Sequence, residues 1–430
     1  MSKKKLYCVI LLVCLLCCAC GKKEGYNALS YQVTENDTLF ICDAEQWGNS
    51  RQTKLSNWVT DFKCIQLENS DTALVKGWKV YITDNYIGVL DEQAFKLFNH
   101  QGKFLCNIGR TGQGPGEYKV LYGATLNEKF DKICLAPFYG KSLLEYNFRG
   151  EFLQSIDVSV IVKGQVRYQP DGSLLLTHLQ FANSPTFQYL HVDTTGIKTY
   201  INDDSKLVSS IDEEGNFIGF NNEIWAGNNT SEFTYHIFET DTLYRFNPQT
   251  HKTYPRFALN NFHGRYIDLT APPSSFLIYF YPSGMEEVNG WKPETNTVLI
   301  DKEETRAYFA EVVNDFMGNL PVNKLGIPQD GWYCELFEPL QLVELIEEKL
   351  SDENCTDKER KALEELRSSF DEDGNNILFF GRYGFTNNVV VLTRNHGYRK
   401  EIQGTKVPPV IVQLLSVAAY LLESQDMEVS

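Results

Sequence analysis

The most apolar stretch of this 430-residue chain, Leu6–Leu16, is 11 residues long, about half of the ~20 a helix needs to span a bilayer, so no membrane-spanning helix is expected. Basic residues are in the minority, 40 Lys and Arg against 56 Asp and Glu. With a net charge of −16 and no basic stripe, nucleic acid is excluded as a partner. Beyond residue 20 there is no C-x-x-C pair, and the seven histidines do not fall at ligand spacing, which disfavours a zinc site. No G-x-S-x-G elbow and no H-E-x-x-H motif is present, so the common serine-hydrolase and zincin chemistries have no sequence support. Aromatics, by contrast, are abundant at 13%, with 23 Tyr and 27 Phe, as in a strand-rich globular body.

The first twenty residues differ from the rest. Lys3, Lys4 and Lys5 precede the apolar run in the manner of a signal peptide. The run ends in "LLCCACGKKE", which resembles a bacterial lipobox with Cys20 as the lipidated residue, Ala19 before it and Gly21 after it. Residues 1–19 are therefore read as a lipoprotein signal and 20–39 as a tether. Membrane attachment is expected through the lipid anchor only. Losing three lysines and no acid takes the mature net charge from −16 to −19. Six cysteines remain: Cys42, Cys64, Cys106, Cys134, Cys334 and Cys355. Three of them sit inside strand-like runs, where a thiol behaves as a small buried hydrophobe.

Self-similarity is the main signal in the remaining chain. "FNHQGKFLCNI" (98–108) recurs as "YNFRGEFLQSI" (146–156), then more loosely as "VDTTGIKTYI" (192–201) and "FNPQTHKTYP" (246–255), where Thr250 replaces the glycine. Each copy reads as a β-hairpin, and another strand pair precedes it, as in "KVYITDNYIGVLD". Four strands every ~40–50 residues describe a propeller blade, which buries its faces only against the next blade. The expectation is an all-β fold over residues 40–430: a six-bladed β-propeller of four-stranded antiparallel blades. Closure is expected from "DTLFICD" (37–43) pairing with "NVVVLTRN" (388–395) in one shared blade. Two stretches, "DKEETRAYFAEVVNDFMGNL" (301–320) and 337–370, read as helical insertions in the last blades, spanning about 301–370. Thr356 and Glu359 form a capping box within the second. "PPVIVQLLSVAAYLLES" (408–424) reads as a terminal helix.

The segment "FNHQGKFLCNIGRTGQGPGEY" (98–118) resembles the diagnostic motif of six-bladed β-propeller lipoproteins of gut-type Gram-negative anaerobes, related in architecture to NHL-repeat propellers. The resemblance implies the fold and a cell-envelope location, with the outer membrane as the expected anchoring site. It supplies no catalytic residues. The glycines of "GRTGQGPGEY" do not form a phosphate cradle, because Gly116 is followed by Glu117 and Tyr118 where a P-loop needs Lys-Ser or Lys-Thr. They are read instead as a turn between blades. Tyr118 is expected to pack at the junction with its hydroxyl outward, and Arg110 is expected to pair with Glu117. If the loop lies on a ligand face, Arg110, Gln113 and Glu117 are the side chains that would meet the ligand.

The acidic turns "QPDGS", "DEEGN" and "DEDGNN" are hairpin turns rather than EF-hands: after Asp371 and Asp373, Gly374 comes too early and the twelfth position is Arg382. A calcium ion held in the central channel by residues of several blades would leave no motif, and no other cofactor is predicted. Trp225 and Trp291 are candidates for sugar-stacking platforms. The function expected is a non-catalytic binding or scaffold module for a glycan, a peptide or an envelope protein. The alternative is a propeller hydrolase or lyase of the lactonase or esterase type, with a divalent metal at the channel mouth.

Overall fold

The computed structural model describes residues 24–384 apart from 34–37, 92–93, 179, 181–187, 203–206, 208, 210, 212–213, 217–223, 229–232, 238–239, 248–249, 263–266, 273, 282–292, 323–324 and 326–330. The signal segment, Cys20, Trp291, "NVVVLTRN" and the C-terminal helical stretch lie outside the described residues. So does the side chain of Trp225.

Six sheets form a six-bladed β-propeller. Blade 1 runs over Gly77–Ile82, Tyr86–Asp91, Phe95–Asn99 and Phe104–Ile108. Blade 2 comprises Leu121–Asn127, Lys132–Pro137, Tyr139–Tyr146 and Phe152–Val162. Blade 3 comprises Gln165–Tyr168, Leu174–Thr177, Tyr189–Val192 and Lys198–Ile201. Blade 4 comprises Ile224–Asn228, Phe233–Ile237, Thr242–Asn247 and Lys252–Asn260. Blade 5 comprises Ile267–Thr270, Ser275–Phe280, Thr297–Asp301 and Arg306–Asn314. Each is an antiparallel meander, which is the outcome expected when short hairpins follow one another with little chain between them.

The apolar side chains explain why the sheets close into a ring. Successive residues of a strand point to opposite faces, and both faces of the middle strands are apolar, as in "YIGVLD" of blade 1. Ile87 and Val89 pack toward blade 6, with Trp332, Leu378 and Phe380, whereas Leu90, Phe95 and Leu97 pack toward blade 2, with Leu121, Leu135 and Tyr146. The same division holds around the molecule, with one buried cluster at each blade junction: 2 to 3, 3 to 4, 4 to 5 and 5 to 6. A blade with two greasy faces is covered only when it has a neighbour on each side.

The N-terminal segment departs from expectation. Strands β1 (Leu29–Val33) and β2 (Thr38–Asp43) form a hairpin whose second strand pairs in parallel with Lys252–Asn260 on the outer edge of blade 4. Strand β3 (Gly48–Lys54) pairs in parallel with the outer strand of blade 5. Strand β4 (Val59–Gln66) then joins Trp332–Phe337 and Ile377–Tyr383 as the third strand of blade 6. The 20–39 segment is therefore not a free tether: from Glu24 onward it is bound to the rim, with Gly25 O accepting from Ala307 N at 2.9 Å. Of "DTLFICD", the strand Thr38–Asp43 has both edges taken, by β1 and by the outer strand of blade 4. The ring is closed by β4. The strap also covers outer edges whose unpaired N–H and C=O groups would otherwise template further pairing.

Residues 301–320 are likewise not helical. Arg306–Asn314 is the outer strand of blade 5, and it is buried on both faces, so its apolar residues lack the period-two alternation that marks a strand. The helices of the insertion are α1 (Pro339–Ser351) and α2 (Asp357–Arg367), the latter starting at the Thr356–Glu359 capping box. Leu342, Ile346, Leu363 and Leu366 pack on Phe337, Ile377 and Phe379 of blade 6.

The hairpin joining the third and fourth strands ends on a left-handed residue in blades 1 to 5. In blades 1 to 3 it is Gly102, Gly150 or Gly196; in blades 4 and 5 the turn is one residue longer and ends on His251 (φ +53°) and Thr305 (φ +52°).

Candidate functional site

The glycine loop is a clamp between blades 1 and 2. Arg110–Thr111 and Glu117–Tyr118 pair as two short parallel strands, and Gly112 N donates to Tyr118 O at 2.9 Å. Arg110 and Glu117 pair as expected, Nε to Oε1 at 2.5 Å, and the other carboxylate oxygen accepts from Gly114 N at 2.8 Å. The Gly114 N–H first, and then the Arg110 guanidinium, hold the Glu117 carboxyl below its ordinary pKa. Tyr118 is a correction: its hydroxyl points inward, donating to Ile108 O at 3.0 Å and accepting from Phe95 N at 3.3 Å. A buried phenol needs such partners. Tyr146 Oη donates to Gly116 O at 2.5 Å. Two glycines are required by geometry: a Cβ at Gly109 (φ +68°) would lie 2.6 Å from Tyr146 Oη, and one at Gly116 (φ +70°) 2.7 Å from the Phe152 ring. Arg110 and Gln113 remain exposed to solvent, whereas Glu117 is committed to the clamp.

A built polar site lies one junction further on. A cleft of about 390 Å³ opens between blades 2 and 3, lined by Phe130, Lys132, Glu145, Gln154, Tyr168 and the 193–196 turn, among others. Its floor is Glu145, only 2% exposed. Tyr168 Oη donates to Glu145 Oε1 at 2.6 Å, Gln154 Nε2 to Oε2 at 2.5 Å, and Lys132 Nζ lies 3.3 and 3.4 Å from the two oxygens. A carboxylate this deep is tolerated because all its partners are donors and one is a cation. Burial, reinforced by Cys134 and Glu145, pushes the Tyr168 phenol far above its ordinary pKa, so it stays a donor. Cys134, paired across the sheet with Glu145, is raised well above the usual thiol value by its burial and remains inert.

Sequence reasoning missed this cluster because its members come from four strands. The available signal was a lone acid in "LLEYNF", a run that is buried throughout. A larger cleft of about 590 Å³ between blade 5 and α1 carries no buried ionisable lining group. Among the described residues no group of three or more His, Cys, Asp and Glu side chains is placed to hold a metal ion, so the convergence a channel-mouth metal would need is not found there. Asp371 Oδ1 accepts from Asp373 N, as an acidic turn does. The six described cysteines are all free thiols.

The sequence matches the family described as Domain of unknown function (DUF4934) over residues 39–382. No curated protein matches the chain by sequence. Among solved structures, the chain is similar to a protein assigned to export from Bacteroides fragilis, with a TM-score of 0.56 and 18% identity, covering 80% of this chain and 100% of that one. A member of the DUF4221 family from Bacteroides vulgatus gives a TM-score of 0.37 and 10% identity over 59% of this chain and 84% of that one. A Bacteroides caccae protein of unknown function gives 0.34 and 15%, over 54% and 81%. At these identities the likeness concerns the fold. Among the described residues no helix is long and apolar enough to cross a membrane.

Proposed function

The chain belongs to the DUF4934 family, and on that premise we propose that it is an exported, non-catalytic binding module, held to the outer membrane by a lipid on Cys20, whose ligand is a neutral glycan seated between blades 2 and 3. The carrying observation is the Glu145 floor with its three donors. A sugar ring offers hydroxyls that both donate and accept, and the cleft answers with both kinds of group in balanced charge, two lysines (Lys132, Lys198) against two carboxylates (Glu145, Asp193). Phe130, 41% exposed at the rim, presents an aromatic surface of the kind a sugar face covers. The cleft volume falls within the ~300–1,000 Å³ of small-ligand sites. An anionic glycan would meet the field of a chain with net charge −16. Support for export comes from the Lys3–Lys5 and Leu6–Leu16 segments and from the exported B. fragilis relative.

The test is calorimetric titration of a panel of neutral oligosaccharides into the mature chain. Lys132→Met and Gln154→Ala are each expected to weaken binding by about tenfold, the ~1.4 kcal/mol of one polar contact, while Arg110→Ala and Gln113→Ala leave it unchanged. The opposite pattern would move the site to the glycine loop. Metabolic labelling with a fatty acid checks the anchor: incorporation that survives Cys20→Ser would refute it.

A further inference from the structure

Histidines 60 positions apart in the chain meet at the junction of blades 3 and 4. His191 lies in the third strand of blade 3, opposite Leu175 and Thr199, and the neighbouring Leu175 and Tyr189 belong to the core shared with blade 4. His251 closes the blade 4 hairpin, in the left-handed position that glycine occupies in blades 1 to 3. The two ring centroids are 5.1 Å apart, with the planes inclined at 47°. His191 Nε2 is buried and has no hydrogen-bond partner.

We propose that His191 and His251 form a two-imidazole site for a divalent transition metal of the nickel, copper and zinc class, completed by water. A metal sits ~2.0 Å from a ligating nitrogen, hence roughly 3.2 Å from the ring centre, so two imidazoles on one tetrahedral ion have centres about 5.2 Å apart. The observed separation of 5.1 Å fits that geometry. Two neighbouring carboxylates each engage one oxygen in their own turns: Asp171 Oδ1 accepts from Ser173 N and Oγ, and Asp193 Oδ1 from Thr195 N, Thr195 Oγ1 and Ile197 N. They act on His191 as nearby negative charge, which favours a cation. Two protein ligands leave positions open, unlike a closed structural zinc site. Burial first, and then the neighbouring His251, depress the pKa of His191, which keeps its imidazole neutral as a metal ligand must be. The site is independent of the glycan reading, although the 193–197 turn borders both.

The experiment titrates Ni²⁺ into the full mature chain, nickel being chosen because thiolates of the six cysteines select zinc and cuprous copper more strongly. One Ni²⁺ per chain is expected, with binding weakened by about tenfold or more in His191→Gln and in His251→Gly. His251→Gly puts into the turn the residue its backbone favours, so its melting temperature without metal is expected to match or exceed wild type. This variant stays informative even if His191→Gln folds poorly. Absence of stoichiometric Ni²⁺ binding by the wild type, or undiminished binding by His251→Gly, would overturn the proposal.

Discussion

Replacing Gly116 by alanine tests the clamp reading of the glycine loop at its tightest point. Two costs add. The backbone is held at φ +70°, where an L-residue pays about 1–2 kcal/mol, and the new methyl would lie 2.7 Å from Cγ and Cδ2 of Phe152, an overpacking worth about 1–3 kcal/mol. Gly114→Ala is the internal control. Gly114 has no positive φ, and the nearest atom to its added Cβ is the far end of the Glu117 side chain at 3.1 Å, so a change within about 0.5 kcal/mol is expected. An unfolding entropy of about 2.1 cal/mol/K per residue over the roughly 300 described residues makes 1 kcal/mol worth about 1.6 °C, so Gly116→Ala should lower Tm by roughly 3–8 °C. Urea midpoints of the mature chain provide a second measure. Phe152→Leu in the Gly116→Ala background should recover the steric part and leave the backbone part. Equal losses at Gly114 and Gly116, or no recovery with the smaller partner, would refute the reasoning.

Three other outcomes follow from the geometry. Glu145→Leu leaves Tyr168, Gln154 and Lys132 without their acceptor and is expected to cost about 3–5 kcal/mol in chemical denaturation, whereas Lys132→Met leaves the buried carboxylate its two neutral donors and should cost less. His236, fully buried, and His191 both have pKa values below the ordinary 6.5, each chiefly through burial. The unfolded chain therefore takes up these protons first: stability is complete above about pH 6.5 and should decline as pH falls from there through the lower folded values. A Tm that stays flat or rises between pH 7.5 and 5 would contradict this. Among the thiols, Cys42, pushed up to about 12 by burial, and Cys134 should resist a thiol reagent until the chain unfolds, while Cys355 reacts in the native state; early modification of Cys134 would show that the blade 2–3 core opens.

Blades 1 and 2 were legible because their hairpins share length and chemistry: Asn, two variable residues, then a glycine in the left-handed position, followed by alternating strands. Blades 4 and 5 blurred the period because their turns are longer and end on His251 and Thr305. Arg306–Asn314 misled for a different reason, since a strand covered on both faces, here by the blade 4 side and the blade 6 side, shows no alternation to count. The inward Tyr118 hydroxyl and the Glu145 cluster were hidden because their partners are set by inter-blade packing rather than by spacing along the chain. The Arg110–Glu117 pair was readable because the loop itself brings both ends together.

The origin of the strap also dictates an order of assembly. β4 is made before any blade, yet the strands it needs, Trp332–Phe337 and Ile377–Tyr383, are the last two of the described chain to be synthesised. A polypeptide emerging amino end first therefore carries its latch unfastened until Ile377–Tyr383 has been made, and the circle snaps shut only when that sheet arrives. Loss of either extremity should be felt as one cooperative failure at blade 6, and moving residues 24–66 to follow Gly384 through a linker should yield a permuted ring with the same six junctions.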